Sequence, residues 1–275
     1  MLASGTFLAA KVALGDMGPM ELAFLRFLIA AAVLWPLGEY YRKGRTIEKV
    51  DQWQLWGLGF LAIPLNQGFF LYGLQWTTTG HSALLYCLTP LLVLVLAAWR
   101  LGERITLGRT VGILVAFGGV LLVLLERGLE FEPGQFTGDL LVLVAVVAWA
   151  YYTVLGKPLI KKYGAVLVTA RAMTYGTILF LPIGLVALSD FSPAAVSPKA
   201  WLGLLYCAII TSVIAYTLWY WALHYIDAAR VAVFNNIQPV VAAFVGWFLL
   251  GETITPLFIG GGLLVVAGVL LTEKL

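Results

Sequence analysis

Residues 250–271 read LGETITPLFIGGGLLVVAGVLL, and residues 101–122 read LGERITLGRTVGILVAFGGVLL. A charged corner followed by a glycine-studded apolar run thus occurs twice, 149 positions apart. Sliding residues 72–122 onto 221–271 without a gap gives 14 identities in 51 pairs. They include Pro90/Pro239, Leu101/Leu250, Gly102/Gly251, Glu103/Glu252, Ile105/Ile254, Thr106/Thr255 and Gly119/Gly268. A weaker match at an offset of 146 pairs Lys11/Lys157, Pro36/Pro182 and Gly38/Gly184. Leucines and glycines match by chance in any apolar chain, but a repeated LGE-x-IT corner is a more specific signal. The chain reads as two copies of one unit, residues 1–126 and 138–275.

Composition says what kind of unit this is. Of 275 residues, 61% are hydrophobic and 11% charged, against roughly 45–50% and about 25% in soluble domains. The charges fall in short clusters between long uncharged runs. A hydrocarbon core of about 30 Å takes roughly 20 helical residues to cross, and runs of that length recur along the chain. Ten spans are expected, at 1–14, 19–38, 53–74, 81–99, 107–125, 138–156, 165–188, 200–223, 230–249 and 256–272. Backbone groups in lipid must be satisfied internally, so these spans should be helices. The alternation of a membrane barrel is absent. The first span is short for a crossing, and residues 1–14 show neither the basic leader nor the cleavage site of a signal peptide.

Each unit holds five spans. Five is odd, so the second unit enters the membrane upside down. The fold class is an all-α integral membrane protein, with ten transmembrane helices as two inverted five-helix repeats around a central cavity. That is a transporter architecture. Lys and Arg set its direction. The connections after even-numbered spans, with the C-terminal tail, hold Arg42, Lys43, Arg45, Lys49, Arg100, Arg104, Arg109, Lys157, Lys161, Lys162, Arg230 and Lys274. The connections after odd-numbered spans hold only Arg127 and Lys199. The positive-inside rule then puts both termini in the cytoplasm, in a multi-pass protein of the cytoplasmic (inner) membrane of a prokaryote. The net charge of +3 reflects that topology and implies no nucleic-acid partner. Cys87 and Cys207 lie inside spans, so no disulfide, metal site or cofactor is expected.

The corner has a structural explanation. Gly102 or Gly251 ends one helix, and Thr106 or Thr255 caps the next, with Pro256 suited to a first helical position. Glu103 and Glu252 lie at opposite membrane faces, as corner residues or as gating residues. Ten spans in two halves, each closing with P-x10-LGE-x-IT and a Gly-rich helix, resemble the EamA family of drug/metabolite transporters. The opening GTFLAAKVALGDMGPMELAFLRFLIAAA is also similar to that family's first two helices, with Lys11 and Arg26 in the expected places. The shortened first helix is the departure. Within the family the chain looks most like amino-acid exporters of the YddG type, which move aromatic amino acids. The resemblance implies a secondary carrier that moves small metabolites outward.

Polar residues inside spans show where a substrate would sit, because a polar group facing lipid is costly. Span 3 carries Asn66 and Gln67. Span 9 carries Asn235, Asn236 and Gln238 just before Pro239, and span 4 carries Tyr86 and Thr89 just before Pro90. Both prolines are read as hinges that kink their helices. The amides serve as helix glue or line a cavity, and three in one turn of span 9 favour the cavity. Trp53, Trp56, Trp76 and Trp201 lie at span ends and read as interface anchors. Trp149, Tyr152, Tyr216, Trp219 and Tyr220 lie deeper and suit an apolar or aromatic side chain.

Charge discriminates between substrates. Lys11, Arg26 and Arg171 lie within spans, whereas no carboxylate lies at comparable depth. A proton-coupled exporter of cationic drugs needs an embedded acid. A cationic cavity suits a carboxylate, such as that of an amino acid, with Lys11 the candidate contact. Asp16 and Glu21 are the alternative partners of Lys11 and Arg26, at the outer interface. Two histidines and no HExxH give no enzyme constellation. A channel would need a repeated filter or ring of charge, which is absent. The expected partners are a small-molecule substrate and the lipid bilayer. A functional monomer is preferred, with a dimer through Gly260, Gly261, Gly262 and Gly268 as the alternative.

Overall fold

The computed structural model describes residues 5–42, 44, 46–73, 75–77, 82, 85–126, 135–237 and 256–274. Every regular element among them is helical. Helix α1 spans Gly5–Ala13, α2 Pro19–Arg42 and α3 Lys49–Gly73. Helix α4 spans Thr89–Leu101, α5 Leu107–Glu126, α6 Gln135–Tyr163 and α7 Ala165–Ala187. Helix α8 spans Pro198–Tyr225, α9 Ala228–Val233 and α10 Pro256–Lys274. Of these, α2, α3, α6, α7 and α8 are each long and apolar enough to cross a membrane.

Several boundaries depart from the sequence reading, each for a local reason. Helix α6 runs on to Tyr163, so Lys157, Lys161 and Lys162 stand on its last turns rather than in a loop. Buried Leu159 and Ile160 anchor those turns, and Pro158 removes one hydrogen bond without ending the helix. The following Gly164 has a φ of +88°, a conformation open to glycine at little cost. Helix α4 departs the other way. Expected from residue 81, it begins at Thr89 after a turn at residues 87–88, with Pro90 in its first turn. Residues 82, 85 and 86 before that turn are also helical, so Pro90 stands at a break in the expected span, in the first turn of the segment that follows, where an N–H has no helical partner to lose. The first LGE corner is built as the sequence suggests. Gly102 takes a φ of +67°, and Thr106 Oγ1 accepts from the Arg109 N–H at 3.3 Å. The second corner, Gln238 and Pro239 lie outside the described residues.

Two helices contain wider turns. Residues Leu61–Gly68 of α3 and Tyr206–Ala215 of α8 are π-helical. The first carries Pro64, which cannot donate to an α-helical ladder.

Helix α5 lies along α10, α2 along α7, α4 against α9, α1 against α8, and α3 against α6 and α7. Glycines set the closest approaches. A Cβ on Gly268 would stand 2.4 Å from the Ala116 backbone N, and one on Gly119 2.5 Å from the Gly261 carbonyl O. The glycine face of α10 offered above for a dimer is thus occupied by α5 within the chain, with Gly261 and Gly262 buried and Gly260 exposed. Large apolar side chains such as Leu28, Leu185, Leu202 and Leu263 face outward, where lipid tails are as apolar as leucine itself. Trp53 and Trp76 are exposed at the two ends of α3. Trp56, expected as an anchor beside them, instead stacks on Tyr175 at 4.2 Å.

Candidate functional site

Arg26, on the second turn of α2, is 9% exposed. Its Nε donates to Ser212 Oγ at 2.6 Å and its Nη1 to Gln67 Oε1 at 3.4 Å. Gln67 Nε2 donates to Asn66 Oδ1 at 2.6 Å. Asn66 Nδ2 donates to Tyr86 OH at 2.9 Å and to the Ala145 carbonyl at 2.8 Å. One network therefore joins α2, α3, α6, α8 and the residues before α4. The π-helical turns supply it. Two adjacent side chains of α3 enter it, and Ser212 Oγ also donates to the Cys207 carbonyl five residues back, at 3.1 Å.

No described carboxylate pairs with Arg26. Asp16 accepts from the Ser197 N–H at 2.9 Å, and Glu21 from the Gly18 N–H at 2.8 Å. Glu21 is five residues before Arg26, whereas neighbours on a helix face are three or four apart. That spacing is the signal the sequence reading passed over. The Phe27 ring lies under the guanidinium at 4.8 Å, which offsets part of its charge. Among the described residues Arg26 Nη2 has no partner, and it is not sealed from its surroundings. It is an open donor on a buried cation.

Helices α6 and α8 then carry aromatic residues toward the end that holds Lys157. Trp149 follows Ala145, and Tyr216 follows Ser212, each by about one turn. Their rings meet edge-on at 5.3 Å. Trp149 also meets Trp219 at 5.6 Å, and the Trp219 indole N–H donates to Thr153 Oγ1 at 3.3 Å. A turn further on, Tyr152 and Tyr220 stack at 4.7 Å with 0% exposure each. Tyr220 OH donates to the Tyr152 carbonyl at 3.1 Å. Gly156 makes room, since a Cβ there would stand 2.5 Å from Tyr220 OH. Tyr152 and Tyr220, named above as substrate contacts, form a closed plug in this structure. Trp149 and Tyr216 form the layer above it.

Charge backs the plug. Lys157 Nζ lies 2.7 Å from Glu103 Oε1, 2.9 Å from the Ile226 carbonyl and 3.6 Å from Asp227 Oδ1. The Lys157 and Glu103 side chains are both 8% exposed. The Ala228 N–H donates to the same Glu103 oxygen at 3.0 Å. Arg109 pairs with Asp227 and donates to the Arg104 carbonyl at 3.0 Å. Burial pushes the Asp227 carboxyl up, but Arg109, Lys157 and Arg230 outweigh it and hold it below the ordinary carboxylate range. At the same end Arg171 pairs with Glu39, and Lys162 with Glu48 and Asp51. Glu103 and Lys157 thus bind the corner after α4 to α6.

The remaining candidates stand apart. Asn235 is half-buried. Asn236 lies on a 3-10 turn after α9, fully buried, with neither amide atom bonded among the described residues. Lys11 is on α1, but its side chain lies outside the described residues. The structure joins Asn66, Gln67 and Tyr86 through Arg26 and Ser212, which the sequence reading did not place in the site.

A helical bundle with five membrane-length helices among the described residues, a buried polar layer and an aromatic plug defines a multi-pass membrane protein. The model of the EamA-like transporter family matches residues 1–125 and 136–273. The chain belongs to that family of membrane transporters. An uncharacterized transporter of Archaeoglobus fulgidus is 33% identical over 98% of this chain and 92% of its own. The uncharacterized transporter YoaV of Bacillus subtilis is 27% identical, over 96% and 90%. A probable terminal-alkyne amino-acid exporter of Streptantibioticus cattleyicolor is 28% identical, over 98% and 89%. A crystal structure of 21% sequence identity matches with a TM-score of 0.83 over 98% of this chain and 92% of that one. That likeness is one of fold.

Proposed function

We propose that the protein is a secondary exporter of amino acids with aromatic or large neutral side chains. It works by alternating access between two inverted repeats of five helices each. Support for the repeat comes from packing as well as sequence. Exchanging the halves turns the α1–α8 contact into the α6–α3 contact and returns α2–α7, α4–α9 and α5–α10 to themselves. A two-fold axis in the membrane plane requires that pattern. The π-helical turns fall in the third helix of each half. On the count of Lys and Arg we read the Lys157 end as cytoplasmic in a prokaryotic cell, and the aromatic plug and ion pairs at that end as closing the inner side.

The observation that carries the substrate class is Arg26. A buried guanidinium without a counter-charge is costly, and a substrate carboxylate would supply that charge through the open Nη2. Asn66, Gln67 and Tyr86 surround the same point, and Trp149 and Tyr216 offer ring faces to an apolar side chain. The described carboxylates lie at helix ends, where they leave a lipophilic cation without an embedded partner. One relative bears the name of an amino-acid exporter, consistent with this reading.

Purified protein in liposomes should catalyse saturable counterflow of labelled phenylalanine or tryptophan. Arg26→Gln should raise the half-saturation concentration about 10- to 100-fold, as expected for losing a hydrogen bond to a charged group. Arg26→Lys should recover only part, because an ammonium cannot hold Ser212, Gln67 and a carboxylate with one planar fork. Overproduction should protect cells from toxic aromatic amino-acid analogues. Protection against quaternary ammonium dyes without amino-acid flux would make it a multidrug exporter instead. Flux without counterflow would make it a channel.

A further inference from the structure

We propose that the cavity beside Lys157 is a loading site for the substrate's carboxylate, which opens the inner side by replacing Glu103 on Lys157. This rests on the transport reading above. The cavity has a volume of about 480 Å³ and is lined by Arg104, Arg109, Lys157 and Lys161 together with Glu103 and Asp227. Both carboxylates are already engaged, Glu103 by Lys157 and Asp227 by Arg109. Arg104 and Lys161 have no carboxylate partner among the described residues. The lining therefore carries a surplus of positive charge, which attracts an anion.

The geometry also says which bond the anion competes for. Glu103 holds Lys157 Nζ at 2.7 Å and the Ala228 N–H at 3.0 Å through one oxygen, Oε1. Its other oxygen, Oε2, is buried without a partner. A free carboxylate can accept from the same two donors while Lys161 and Arg104 line the same cavity, so it meets charge that Glu103 leaves unpaired. Lys157 is too deeply buried to lose Glu103 without a replacement. The lock between the two halves consequently yields when a carboxylate is present and holds when the cavity is empty. Behind it lies the Tyr152–Tyr220 plug. Along α6, the path from Lys157 to the Arg26 layer at Ala145 is about 18 Å at 1.5 Å per residue.

The test is protection of a reporter thiol. Leu101→Cys, at a position lining the same cavity, is placed in a chain with Cys87→Ala and Cys207→Ala, in nanodiscs, and reacted with a charged maleimide. L-phenylalanine and benzoate should slow labelling, whereas phenethylamine, which lacks the carboxylate, should not. Adding Lys157→Gln should raise the benzoate concentration needed by about ten-fold or more, the loss of one charge-assisted bond. Glu103→Gln removes the competitor and should lower that concentration. The two opposite shifts together exclude simple misfolding. Equal labelling with and without benzoate, or protection unchanged in both variants, overturns the loading site. Repeating the assay in phosphatidylcholine with and without phosphatidylglycerol separates a lipid headgroup from a soluble acid. If the anionic lipid alone slows labelling and benzoate adds nothing, the cavity is a lipid site and the proposal falls. Phenylalanine flux in liposomes is measured separately. Flux without protection removes the loading site and leaves the exporter. Protection without flux removes the exporter and leaves a carboxylate site.

Discussion

Gly156 is where one methyl group meets the inner plug. A Cβ there would approach Tyr220 OH to 2.5 Å and its Cζ to 2.7 Å, and the ring cannot retreat because it stacks on Tyr152 at 4.7 Å. Gly156→Ala should destabilise the protein by about 1–3 kcal/mol, the usual range for overpacking a filled interior. The thermal unfolding midpoint of purified protein in detergent should fall accordingly. Adding Tyr220→Leu should recover part of that loss by removing the ring. An unchanged midpoint in the single variant would mean that Tyr220 moves freely and that the inner side is closed by Lys157 and Glu103 alone. Arg26 poses the opposite problem at the same scale. Its site is made by partners of moderate strength and one missing charge, so its loss should appear in substrate affinity more than in stability.

At the scale of elements, α3 and α8 differ from the other helices among the described residues by their π-helical turns. Wider winding disrupts the regular spacing of side chains and carbonyls, and both helices use it to bring polar groups to Arg26. Helices α5 and α10 show the contrary use of an element, as a close-packed pair. The Gly268 Cα faces the Ala116 backbone so closely that a side chain would reach 2.4 Å from its N, and backbone cannot give way as a side chain can. Gly268→Leu should therefore lower the thermal midpoint by separating α5 from α10. It should leave the mass measured by light scattering unchanged. A loss of dimer mass with stability preserved would instead return that face to an intermolecular role.

For the molecule as a whole, the proposed orientation rests on twelve Lys and Arg in the tail and the connections after even-numbered spans, against two in the connections after odd-numbered spans. A reporter fused after Leu275, or placed within residues 157–163, should be cytoplasmic, and one within residues 126–137 should be outside. An externally active C-terminal fusion would overturn both the orientation and the even number of crossings. The proposed inverted repeat makes a second demand. It matches Lys157 with Lys11 and Glu103 with Glu252, of which the Lys11 side chain and Glu252 lie outside the described residues. If the halves exchange roles, Lys11→Glu and Glu252→Lys should each impair counterflow. The double swap should restore it above either single variant. Additive losses would leave Lys11 as a substrate contact and separate the outer side from the symmetry.

What the sequence by itself determined is local in origin. Membrane class and helix type follow from run length against bilayer thickness and from backbone groups that lipid cannot satisfy. The proposed repeat rests on residues compared at a constant offset. The corner at Gly102 and Thr106 follows from capping chemistry within a few positions. Tertiary structure decided what depends on distant partners. Arg26 finds Ser212 across 186 positions, and Lys157 finds Glu103 across 54, separations over which no periodicity specifies a contact. The same holds for Tyr152 and Tyr220. Their depth was legible, but whether they line the path or close it depends on how α6 and α8 pack around Gly156. Hydrophobicity sets how deep a residue lies, because bilayer thickness is a single length. Which side chains meet is set by helix rotation and tilt, which only packing against every neighbour fixes.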